Sequence, residues 1–153
     1  MWTAPTAGHK AYAGIVSRLG GLLIDVLVVA LAVVVVGRGL PEMWKLVAGA
    51  PPHWLATAFD WGANITPAVY FAGCWRLTGE TLGGVLFGTA VRRADGARLG
   101  IIRAVLRAVV GILLAPVWLI GLVTVLFDAR RRSLLDMLFG TVVRYAGRPG
   151  HLP

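Results

Sequence analysis

The sequence predicts an all-α integral membrane protein with three apolar helical blocks and a small interfacial β-hairpin or sheet. Three observations carry that prediction. Of the 153 residues, 58% are apolar and 14% charged, and the mean hydropathy is +0.77, whereas soluble domains run at about 45 to 50% apolar and roughly 25% charged. The apolar residues fall into runs close to the ~20 that a helix needs to cross a bilayer core of about 30 Å. The basic residues gather between and after those runs. Disorder is excluded by the apolar content, a collagen helix by the missing Gly-X-Y period, and a disulfide scaffold by the single cysteine, Cys74.

The first block covers 15–36. His9, Lys10 and Arg18 at its start give the look of a secretory signal, but Val33 to Val36 is β-branched and Gly37-Arg38 offers no small-x-small cleavage pattern, so it is expected to be retained. Residues 37–52 carry Pro41, Pro51 and Pro52 around an amphipathic piece, Met43 to Val47, and this density of Pro and Gly predicts an interruption. Trp44 and Trp54 suit a headgroup belt. The second block, 54–75, contains Asp60, Asn64, Thr66 and Pro67, a polar stripe expected to face protein rather than lipid. Residues 76–100 form a basic, glycine-punctuated interfacial segment. Within it Asp95-Gly96 is flanked by alternating runs from Thr89 to Leu99, the pattern of a hairpin. The third block, 101–127, has a charge-free stretch from Ala108 to Phe127 with Pro116 near its centre, and reads as one kinked span or a re-entrant pair. An amphipathic helix and a strand follow over 133–145, then a polar tail from Gly147. The whole of 1–153 reads as one domain.

Residues 86–94, Leu-Phe-Gly-Thr-Ala-Val-Arg-Arg-Ala, recur at 138–146 with seven of nine positions identical. Chance in a Leu/Val/Gly-rich chain is the competing explanation. If both segments are strands that begin just after a helix end, they predict a pairing of Thr141 to Tyr145 beside the first strand, and so a shared face for both.

The net charge of +8 and the pI near 11.1 come from 15 basic against 7 acidic residues. In so apolar a chain the partner this implies is the anionic headgroup layer rather than nucleic acid, at about 1 kcal/mol per basic residue near the surface. Positive charge collects on the cytoplasmic side, which puts the N-terminus and the 76–103 loop inside.

Asp25 sits seven residues after Arg18, about 10.5 Å along the same helix face, so the two do not pair directly. An acid near mid-span should find a donor on a neighbouring helix, with Arg18, Arg103 or Arg107 as the candidate cations. It is read either as a structural interhelical ion pair or as an ion or proton relay. Asp60 and Asn64 are four apart and share a face, as a buried pair or as a wet interface carboxylate with its neighbour. Asp136 follows Arg130 to Arg132, and its plainest reading is a surface salt bridge to Arg130 or Arg132. His9, His53 and His151 stand alone, Cys74 has no partner, and the glycines at 79, 83, 84 and 88 lack the Gly-Lys-Ser/Thr ending of a phosphate loop. No catalytic, cofactor-binding or metal-binding residues are expected, and no enzymatic activity.

The Arg18 to Asp25 segment, Arg-Leu-Gly-Gly-Leu-Leu-Ile-Asp, Gly79-Glu80-Thr81-Leu82-Gly83, the stretch from Val91 to Arg103, and Arg131 to Val143 with Asp136 and Gly-Thr-Val-Val together resemble the RDD family of small bacterial membrane proteins. Arg18, Asp25 and Asp136 match its arginine and two aspartates. The chain departs from it at Gly84 and Leu135, where members commonly carry Lys and His. The resemblance implies a multi-pass protein of the bacterial plasma (inner) membrane, related to transport of a small ion or solute, with cation/proton exchange proposed for some members. Three short spans cannot enclose much of a pore, so a homo-oligomer or a larger membrane complex is expected. The alternative is a non-transporting accessory or assembly subunit of such a complex, its charges locking helices together.

Overall fold

The computed structural model describes residues 12–128 and 131–146. The expectations for Lys10, Arg130, Arg148 and the tail 147–153 lie outside the described residues. The chain forms α1 (Ile15–Val34), a π-helical turn (Val35–Gly39), α2 (Leu40–Ala48), α3 (His53–Leu77), α4 (Leu82–Leu86), β1 (Thr89–Arg93), α5 (Ile101–Leu113), α6 (Ala115–Gly121), a 3-10 turn (Leu122–Leu126), α7 (Leu134–Phe139) and β2 (Thr141–Tyr145). The fold is mostly helical with one two-stranded antiparallel sheet.

The first block crosses the expected break at Pro41 and continues as a single helix from Ile15 to Ala48, 34 residues long and apolar enough to cross a bilayer. Pro41 is tolerated because the ladder has already reset before it. Its missing N–H would have served a carbonyl four residues back, and the chain instead widens to a π turn, with the Leu40 N–H donating to the Val35 carbonyl five residues back. The interruption falls later, at Gly49, whose φ of 78° is in the left-handed region, and at Pro51-Pro52.

α3 returns against α1, with Gly37 facing Ala63, Val36 facing Gly62, and Tyr70 reaching Asp25. That register sets Asp60 at the height of Arg38 to Leu40, past the end of the first apolar block. Asp60 and Asn64 are both exposed, and Asn64 donates to the Asp60 carbonyl. The polar stripe therefore turns outward at these two positions, contrary to the expectation that it faces protein, because this end of α3 overshoots the apolar height of α1.

The third block is broken. α5 and the α6 to 3-10 stretch are bent by 86° at Leu114, and taken together they too are long and apolar enough to span. Pro116 lies in the first turn of α6, where it cannot donate back into α5. The block leaves and returns to the same end of the molecule, since β1 before it pairs with β2 after it.

The Asp95-Gly96 turn forms, with the Gly96 N–H on the Arg93 carbonyl, the Arg93 N–H on the Ala97 carbonyl and Gly96 at φ 88°. The hairpin does not. Residues 97–100 make no strand, because Leu99 turns into the core beside Ala13, Val91, Ala104 and Val143 and the chain goes straight into α5. The partner of β1 is β2, paired Thr89↔Tyr145 to Arg93↔Thr141. The third position on the sheet is Tyr12, which bridges Arg144 on the far edge of β2.

The two copies of the repeated segment adopt one structure: a short helix, a glycine at φ near 60° (Gly88 at 62°, Gly140 at 60°), then a strand beginning at threonine. Their register is two-fold symmetric about the pair Val91↔Val143, which hold equivalent places in the repeat. The flanking bonds obey the same symmetry, Ala94 N–H to the Gly140 carbonyl and Ala146 N–H to the Gly88 carbonyl. Thr81 caps α4 as Ser133 caps α7, again at equivalent places.

Because β1 and β2 are hydrogen-bonded, cysteines introduced at Arg93 and Arg144 in a Cys74→Ser background are expected to react with a membrane-impermeant thiol reagent from the same side of a vesicle. Labelling from opposite sides would contradict the sheet.

Candidate functional site

Two carboxylates are buried in the described chain, Asp25 and Asp136, and they sit in separate nests around one cavity.

Asp136 is placed by α7. Ser133 accepts from the Asp136 N–H, and the Ser133 N–H donates to Asp136 Oδ2 at 3.1 Å, a reciprocal capping box that fixes the carboxylate on the first turn. Gly140 ends the helix in the left-handed conformation, which turns the chain directly into β2 and brings Thr141 back to the same carboxylate. Arg18 from α1 donates Nη1 to Oδ2, and Arg107 from α5 donates Nη2 to Oδ1 at 2.7 Å. Arg107 Nη1 donates to the Thr141 hydroxyl, which in turn donates to Asp136. The Arg107 guanidinium also lies 4.9 Å over the Trp75 ring of α3, an attraction of cation and π-face. Arg18 completes its fork on the Ala13 and Arg131 carbonyls. The expected surface salt bridge to Arg130 or Arg132 is thereby corrected: Asp136 has no exposed surface, and Arg132 pairs with Asp128 instead. Burial acts to raise the Asp136 pKa, but the charges of Arg107 and then Arg18, with their hydrogen bonds, outweigh it and hold the group down at about 2.

Among the described residues Asp25 meets no arginine. Tyr70 of α3 donates its hydroxyl to Oδ1 at 2.7 Å, the Gly83 N–H donates to the same oxygen at 2.8 Å, and the Thr81 hydroxyl donates to Oδ2 at 2.6 Å. Thr81 caps α4 with the same oxygen, accepting from the Gly84 N–H at 3.0 Å. The expected donor from a neighbouring helix is there in Tyr70, but none of the candidate cations reaches Asp25: Arg18 and Arg107 are both taken up by Asp136, and the Arg103 side chain makes no hydrogen bond or ion pair among the described residues. Gly83 lets this happen, because a Cβ there would run into the Gly21 carbonyl oxygen of α1. The two glycines allow α4 to lie on α1 closely enough for a backbone N–H to reach the carboxylate.

Of the residues singled out in the sequence, the structure joins Arg18, Asp136 and Arg107, sets Asp25 across the cavity from them, and leaves Asp60, Asn64 and Arg103 outside both nests. Tyr70 was not legible as a partner. Thr81 and Gly83 were visible only as a short Gly-x-Thr-x-Gly pattern, with nothing in the sequence to say that both meet Asp25.

The cavity has a volume of about 300 Å³ and is lined by Arg18, Arg107 and Asp25 together with Leu22, Phe71 and Trp75 among others. It sets two guanidiniums and one carboxylate around a mostly apolar space. Among the described residues no group of three or more His, Cys, Asp or Glu side chains could hold a metal ion. Residues 12–140 match the model of the RDD family. No curated protein and no solved structure matches the chain.

Two outcomes follow from these contacts. The native state releases the Asp136 proton near pH 2, the unfolded chain near the ordinary 3.8. The ion cluster therefore adds stability, of order 2 kcal/mol, that is complete above about pH 4 and lost as pH falls through 2. Asp136→Asn should cost about 3 to 5 kcal/mol at neutral pH by leaving two buried guanidiniums uncompensated, and its deficit against the parent should shrink below pH 4, as read by thermal unfolding in detergent. Gly83→Ala should prise α4 from α1 and lower stability by about 1 to 3 kcal/mol in the same assay, while Gly88→Ala, with no atom near its Cβ, should show only the smaller strain of its positive φ.

Proposed function

The chain belongs to the RDD family, and we propose that it is a multi-pass protein of the bacterial inner membrane that moves a small ion or solute through the cavity between Asp25 and the Arg18, Asp136 and Arg107 cluster. The observation that carries this reading is the state of Asp25. It is buried, it lines the cavity, and its three partners are neutral donors, with no cation in reach among the described residues. A carboxylate that lines an apolar cavity without a fixed counter-charge leaves its negative charge available to a cation or a hydrogen-bond donor that enters the cavity. Asp136, by contrast, has its acceptor positions filled by Arg18, Arg107, Ser133 and Thr141 and serves as the fixed end of the site.

In this reading α1 and α3 cross the bilayer, and α5 with α6 enters and turns back at Leu114. The N-terminal segment, the sheet and α7 then share the cytoplasmic face, which places the arginines at 92, 93, 131, 132 and 144 on the side that positive charge favours. Many of the leucines and valines on α1 face outward, Val16 and Leu31 among them, as lipid-facing positions would. Three short apolar segments enclose little volume, so the working unit is an oligomer or part of a larger membrane complex, and no chemical reaction is assigned to it.

One observation favours the accessory reading: a buried carboxylate with both arginines locked onto it is how a structural clamp between α1, α5 and α7 is built. Stoichiometric co-purification with a larger complex in mild detergent would support that reading.

The test is cation-coupled proton movement in proteoliposomes holding a pH gradient, followed with a pH-sensitive dye on addition of sodium or potassium. The parent protein should dissipate the gradient, and Asp25→Asn, shown to be folded by size exclusion and near-UV circular dichroism, should fall to the protein-free rate. An unchanged rate in Asp25→Asn, or no flux in the parent, would overturn the transport reading.

A further inference from the structure

A second concave surface lies outside the cavity, between the first turn of α5 and the end of α7. We propose that it is a binding groove for an anionic glycerophospholipid, with the phosphate on Arg103 and Arg93 and an acyl chain along Ile102, Leu106 and Leu138.

The groove has an open volume of about 860 Å³, and its lining contains two arginines and no acid. Arg103 is partly exposed and makes no hydrogen bond or ion pair among the described residues. Arg18, Arg107 and Arg132 each hold a carboxylate, whereas this guanidinium stands in the groove without one among the described residues. Arg93 touches Asp95 at 3.0 Å, but both side chains are about half exposed, and such a pair contributes little and leaves room for a second anion. The same charge sign comes from the backbone. α5 is a 13-residue helix that starts at Gly100 with no side-chain cap, so its first N–H groups stay open beside Arg103.

The other half of the lining is apolar and faces outward. Ile102 is 74% exposed, Leu106 50% and Leu138 67%. A free phosphate would use the cationic end and gain nothing from this floor. A fatty acyl chain uses the floor, and a net negative headgroup uses the arginines. The cationic end lies where the Arg92-Arg93 end of β1 gives way to the exposed apolar residues of α5, the arrangement in which a headgroup would meet its chains. This inference needs the chain to sit in a bilayer, as in the reading above, but not that it carries a solute.

The experiment is native mass spectrometry of the detergent-purified protein with equimolar phosphatidylglycerol and phosphatidylcholine, so that binding is read without any flux. The parent should retain phosphatidylglycerol about tenfold more tightly, the scale of one to two surface charge contacts. Arg103→Gln, which breaks no side-chain hydrogen bond or ion pair among the described residues, should abolish the preference, and Arg38→Gln, an exposed arginine in the π turn at the other end of α1, should keep it. Equal retention of the two lipids by the parent, a preference that survives Arg103→Gln, or displacement of the lipid by millimolar inorganic phosphate would overturn the proposal, the last by showing a site for the free anion.

Discussion

Burying the Asp136 carboxylate commits four segments of the chain to one point, because a charge taken out of water costs several kcal/mol unless its partners meet it with good geometry. Arg18 comes from the start of α1, Arg107 from α5, Ser133 from the cap of α7 and Thr141 from β2. Each contact is satisfied only if α7 ends at Gly140 and the chain turns at once into the strand. The sheet, the bent third block and the entry of α1 follow from that requirement. Two arginines on one carboxylate also explain why Asp25, though it shares a helix face with Arg18, has to be met by hydroxyls and a backbone N–H.

The repeat gives the same end of the molecule its shape. A helix, a left-handed glycine and a strand occur twice, and the two strands pair about the equivalent residues Val91 and Val143. Each half then presents the first turn of its short helix to a buried acid. In the first half that turn gives Thr81 and the Gly83 N–H to Asp25, and in the second it gives Ser133 to Asp136, which it also contains. The glycines of the first half permit what side chains would block, a backbone contact between α4 and α1. The cavity lies between these two unlike versions of one motif, one neutral in its donors and the other cationic.

The outward surface is governed by a different constraint. Away from the sheet the helices bury little of their apolar area against one another, and the buried core is made of a few residues such as Ala13, Leu99, Ala104 and Val143 near the sheet. The arginines at 92, 93 and 144 lie on the two strands, at the end of the molecule where that core sits. The cavity faces inward beside the Arg18, Asp136 and Arg107 charges, and the groove faces outward beside Arg103.

Much of this was readable from the residues alone. Apolar run lengths gave the start of the first helix and both ends of α3 within a few residues, though not the continuation of the first helix to Ala48, the recurring Gly-Thr-x-Val-Arg stretch foretold both strands and their pairing, and Pro116 marked the bend of the third block. These features are local, since they depend on periodicity, on a missing N–H or on a glycine's freedom at positive φ. What the sequence could not decide is which distant groups meet. The Asp95-Gly96 turn is local and forms, yet its second strand yields to burial of Leu99 and to the stronger match with β2. On sequence Asp25 is the acid short of a partner and Asp136 the one beside arginines at the surface, and only the tertiary arrangement buries Asp136 with Arg18 and Arg107 and leaves Asp25 with neutral partners and an apolar cavity beside it.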